Sequence, residues 1–86
     1  MNAVSMFFGI IIRMFHSEHN PPHFHAEYQG QRGMFSFDGE MIKGSFKSKT
    51  AQKLIKEWTL LHKTELETNW ERAVQGKQID RIEPLH

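Results

Sequence analysis

From Met6 to Phe15 the chain is apolar at nearly every position: Met6-Phe7-Phe8-Gly9-Ile10-Ile11-Ile12-Arg13-Met14-Phe15. Apolar residues fill both alternating sets, which is the pattern of a central strand covered on both faces. Only Arg13 interrupts it, and a buried Arg13 would need a partner such as Glu27 or Glu18. Ser17-Glu18-His19-Asn20-Pro21-Pro22 reads as a loop, because the two prolines withhold amide donors and extend their predecessors. His23-Phe24-His25-Ala26-Glu27-Tyr28 then alternates. Phe24, Ala26 and Tyr28 face one way, and His23, His25 and Glu27 the other. Gln29–Gly33 is a turn, Met34–Phe37 a third strand, and Asp38-Gly39 a turn that leads into Met41–Phe46 as a hairpin.

The period changes from 2 to 3.6 after Ser48. Ala51, Leu54, Ile55, Trp58, Leu61, His62, Leu66, Trp70, Ala73 and Val74 follow helical spacing. Ser48 or Thr50 is placed to cap the start, and Gly76 to end it. The stripe predicts either one long helix or two consecutive ones. In the second case the break falls near His62–Thr64, where Thr64 and Glu67 have capping-box spacing. Ile79, Ile82 and Leu85 make the tail an irregular strap. The prediction is α+β: an antiparallel sheet of three to four strands, then the helices packed on one face. Covering only one face leaves the other for the tail or for another protein chain.

At 86 residues the chain is long enough for a single domain, 1–86, with a modest core. The formal charge is +1, so no global basic field compels nucleic-acid binding. Cysteine is absent, which excludes disulfides, a thiolate nucleophile and cysteine-type zinc sites. The longest apolar run is far short of the roughly 20 residues that span a bilayer, and no signal-peptide pattern precedes it. The expectation is a cytoplasmic protein with no membrane role. No P-loop, dinucleotide motif or serine elbow occurs.

The chemistry-bearing feature is histidine. Six occur, and His16, His19, His23 and His25 fall within ten positions. Two imidazoles two apart on a strand project in parallel and can reach one ion. His19 could add a third ligand from the loop, and Glu18 or Glu27 a carboxylate. Such a set suits zinc or another first-row divalent metal, although no cofactor is required by the sequence. The cluster could equally do acid–base work without metal. A His-x-His pair on a strand face is, however, most often solvent-facing or structural.

The strings Ile10–Phe15 and Glu18-His19-Asn20-Pro21-Pro22-His23-Phe24-His25-Ala26 resemble a family of small bacterial proteins classed as a domain of unknown function, number four-one-six-zero. So do Glu57-Trp58, Leu61-His62, Glu65-Leu66, Asn69-Trp70 and Ile82-Glu83-Pro84-Leu85. Family members more often carry Asp where Glu18 stands, which keeps the carboxylate with a shorter reach. The resemblance implies no established activity. It does imply company with a second small protein, in a two-gene module of the toxin–antitoxin kind.

Two functional readings follow. The favoured one is a partner-binding module of such a system, acting through a protein partner or as a homo-oligomer. The alternative is a metal-dependent or histidine-based hydrolase or nuclease, with His19, His23 and His25 as ligands or acid–base groups and Arg13 neutralising phosphate charge. Lys43, Lys47, Lys49, Lys53 and Lys56 form a stretch without acids that could contact nucleic acid, although such runs are more often solvated faces. Trp58 and Trp70 read as core. His62 reads as an inner-edge histidine that could also reach the cluster.

Overall fold

A computed structural model describes residues 3–86. Five strands come first: β1 (Ala3–Phe7), β2 (Ile10–Arg13), β3 (Phe24–Tyr28), β4 (Gln31–Phe35) and β5 (Met41–Gly44). Two helices follow, α1 (Lys49–Leu61) and α2 (Lys63–Val74). The strands form one antiparallel meander in chain order. The fold is therefore α+β, with five strands in place of the three to four expected.

The extra strand comes from the first apolar run. Met6–Phe15 is not one strand but a hairpin folded at Phe8-Gly9, where both residues have positive φ (49° and 80°). A two-residue turn of this hand matches the twist of the flanking strands. Phe7 then pairs with Ile10, and Met6 with Ile11. The two-sided apolarity arose because the chain reverses inside the run, and the ring of Phe8 is left 60% exposed at the tip. β4 likewise begins earlier than expected, at Gln31, after a tight Gln29-Gly30 turn.

Cross-strand partners share a face, so the register sorts the residues. Phe7, Ile10, Ile12, Phe24, Ala26 and Phe35 face inward and are buried against Ile55, Trp58 and Leu66 of the helices. Ile11, Arg13, His25, Glu27, Arg32, Met34 and Lys43 face outward, on the side that the helices leave open.

Ser48 caps α1 through its Oγ, which accepts from the Ala51 amide at 3.1 Å. The helical stripe breaks at His62 into two consecutive helices, but Thr64 does not cap α2. His62 itself occupies the junction, and its Nδ1 bonds Glu65 Oε1 at 2.6 Å. Gly76, at φ 72°, ends α2 with Gly76 N–H to Ala73 and Lys77 N–H to Arg72, the two bonds of a Schellman motif. The tail is a strap along the open edge of β1. Ile82 N–H donates to the Val4 carbonyl, Trp58 Nε1 donates to Glu83, and Asn69 clasps the Asp80 backbone in both directions. Among the described residues, no helix is long and apolar enough to cross a membrane.

Candidate metal centre

The segment joining β2 to β3 carries the site, and several anchors fix its path. Met14 is buried in the core. His16 Nε2 donates to the Lys77 carbonyl at 2.7 Å, which ties the loop to the end of α2. Ser17, at φ 62°, turns the chain back so that Glu18 faces β3. The Asn20–Pro21 bond is cis, and the Pro21 carbonyl accepts from His23 Nδ1 at 2.8 Å. Nδ1 therefore carries a proton, and Nε2 is the nitrogen left to meet a ligand.

Glu18, His23 and His25 each present one ligand atom, all within 4.8 Å of one another. Glu18 Oε1 lies 2.6 Å from His25 Nε2 and 3.5 Å from His23 Nε2. Donors bound tetrahedrally at about 2.1 Å stand about 3.4 Å apart, so the His23–Glu18 edge already has the spacing of a metal site. The His25–Glu18 edge is a direct hydrogen bond and would open by somewhat under 1 Å. His23 Nε2 is buried and has no hydrogen-bond partner. An imidazole lone pair facing a carboxylate is repulsive unless a cation or proton lies between them.

Aromatic rings hold the imidazoles in place. His25 meets Phe15 edge-on at 5.1 Å, His23 meets His25 edge-on at 5.1 Å, and Trp70 of α2 packs on His23 at 5.3 Å. Burial pushes the Glu18 carboxyl up, but the hydrogen bond from His25 and the charges of His25 and His23 outweigh it. The net effect holds the carboxyl below its usual range.

The remaining candidates go elsewhere. Of the candidate ligands His19, His23, His25, Glu18 and Glu27, the structure brings together Glu18, His23 and His25, while His19 is exposed and stands outside the grouping. Glu27 shares the outer face with His25, but its carboxylate is taken by Arg13 Nε at 2.8 Å. Arg13 is the cross-strand partner of His25, and its guanidinium turns to Glu27. His62 lies against Trp58, away from the cluster. The lysine stretch divides: Lys43 lies on the outer sheet face, while Lys53 and Lys56 lie on α1 across the sheet, and Lys56 pairs with Glu40 at 3.3 Å. Phe15 and Trp70 were not legible as site residues, because at their spacing an aromatic is indistinguishable from core.

Two clefts flank the cluster. One, of about 280 Å³, lies between the loop and α2 and includes Glu18, Phe15, His16, Trp70 and Val74. The other, of about 390 Å³, runs over the outer sheet face past His25. Phe15 lines both.

No curated protein and no solved structure matches the chain. One family does, over residues 9–71, a span that contains the entire ligand loop and both helices up to Glu71. With most of its length matched, the chain belongs to the family described as Domain of unknown function (DUF4160).

Proposed function

We propose that this protein is a metal-dependent hydrolase in which Glu18, His23 and His25 hold one divalent first-row ion, with zinc the simplest occupant. The observation that carries the reading is the buried, unpartnered Nε2 of His23 facing the Glu18 carboxylate. Two imidazoles and one carboxylate are a common donor set for zinc and iron, and three protein ligands leave a position for water. An ion held there would supply an activated water as nucleophile near neutral pH. Arg13, beside His25, would neutralise negative charge on a phosphoester, and Glu27 orients the guanidinium.

The test is a zinc titration of chelator-treated protein, followed through the imidazole resonances. His23 and His25 should respond together and saturate at one equivalent, while His16, His19, His62 and His86 stay put. Zinc-dependent cleavage of an activated phosphodiester should accompany this and vanish in His23→Ala. Resonances that drift without saturation, or a response led by His19, would refute the reading.

A second reading, a partner-binding module of a two-gene system, has its own support. The tail closes the β1 edge, but β5 is exposed at all four residues, with Met41 at 38% and Ile42 at 45%. An open edge of this kind accepts an added strand. This reading requires self-association or partner capture that is indifferent to chelators.

A further inference from the structure

The outer face of the sheet carries a cationic groove that the metal centre does not account for. Its side chains come from β3, β4 and β5 and from Phe15 in the loop after β2. The register aligns Arg13, His25, Met34 and Lys43 in one row, and Ile11, Glu27 and Arg32 in the next. The groove of about 390 Å³ is lined by Phe15, His25, Glu27, Arg32, Met34 and Lys43. Its single acid, Glu27, is committed to Arg13. Arg32 and Lys43 form no ion pair among the described residues. They are diagonal neighbours, about 7 Å apart at the backbone.

We propose that this groove binds the phosphodiester backbone of single-stranded nucleic acid, with Arg32 and Lys43 as phosphate ligands. The strand would run along the sheet toward His25. Two unneutralised cations one diagonal step apart suit a repeating anion better than a single one. Met34 and the Phe15 ring between them offer apolar surface to sugar and base, and an open sheet face admits a strand that an enclosed pocket would not. The substrate assignment rests on the hydrolase reading, whereas the binding itself does not, since neither cation is a metal ligand.

The experiment is fluorescence anisotropy with labelled single-stranded RNA and DNA dodecamers, on chelated and on zinc-loaded protein. Binding should persist without metal and weaken with salt. Arg32→Ala with Lys43→Ala should weaken it about tenfold or more and lower the log–log salt slope by about 1.4, two contacts at roughly 0.7 each. Arg32→Lys with Lys43→Arg should retain most of the affinity, which controls for folding. Zinc affinity should be unchanged in both variants. Absence of binding at low salt, loss caused instead by Lys47→Ala and Lys53→Ala, tighter binding of duplex, or equal competition by polyglutamate would each overturn the groove. A groove that binds in a protein that takes no zinc would sink the hydrolase reading alone.

Discussion

Nε2 of His23 stands 3.5 Å from Oε1 of Glu18, buried and without a hydrogen-bond partner. Its other nitrogen is already committed to the Pro21 carbonyl at 2.8 Å, so the ring cannot relieve the conflict by exchanging its proton between nitrogens without losing that bond. A positive charge between the two groups would relieve the conflict, so a chain that takes a metal ion there and one that does not are distinct outcomes.

The two outcomes differ in stability. Zinc binding only to the folded chain stabilises it by about 2.7 kcal/mol at one hundred times Kd. For a domain of this size that corresponds to a Tm rise of about 10–20 °C. Differential scanning fluorimetry with a zinc series should show this rise in the wild type. In Glu18→Gln it should be nearly abolished at the same zinc, since loss of a ligand costs at least the hundredfold that outer-shell changes can cost. Equal shifts in both proteins would place the zinc elsewhere.

Acidification tests the same carboxylate without metal. Glu18 is held below its ordinary value of 4.5, which means the folded state binds its proton more weakly than the unfolded state does. Its contribution is therefore complete above that ordinary value and fades as pH falls through the depressed one. Urea melts of the metal-free protein from pH 7 downward should show wild type losing stability more steeply than Glu18→Gln below about 4.5, and the two curves drawing together. Parallel curves would mean that Glu18 has no favourable coupling to the histidines.

Strand alternation made part of this site readable. It put His25 and Glu27 on one face, and both do lie there. It put His23 beside them as a parallel ring, whereas His23 precedes β3 and turns against Trp70, so the imidazoles meet edge-on. The choice of Glu18 over Glu27 depended on Arg13, whose diagonal position becomes visible only once β2 and β3 are in register. His19 was read as a ligand from spacing alone, and a loop with a left-handed residue at Ser17 does not preserve spacing. The helices were legible because their stripe is long. Once they split at His62, α2 has Glu65 in its first turn and Arg72 in its last, the arrangement a helix dipole prefers.

Asn69 tests whether the tail belongs to the core. It is 2% exposed, and its amide both donates to and accepts from the Asp80 backbone, at 2.8 and 3.0 Å. Asn69→Ala removes both bonds and leaves a buried carbonyl and amide unsatisfied, at a cost of about 2–4 kcal/mol. Chemical denaturation should report that loss, and limited proteolysis should cleave first between residues 76 and 86. Stability within about 0.5 kcal/mol of wild type would show the strap to be dispensable.

Phe8 should be the easiest residue to improve. It holds φ 49° at the tip of the first hairpin with its ring 60% exposed, so it bears left-handed strain without a compensating burial. Asn tolerates that conformation, and Asn-Gly is the preferred pair for this turn. Phe8→Asn should therefore stabilise by about 0.5–1 kcal/mol, read as a higher urea midpoint at unchanged m-value. Gly9→Ala, at φ 80°, should destabilise by about 1 kcal/mol or more. If Phe8→Asn instead lowers the midpoint while leaving the monomer intact, the ring stabilises the fold through a contact that its exposure does not reveal.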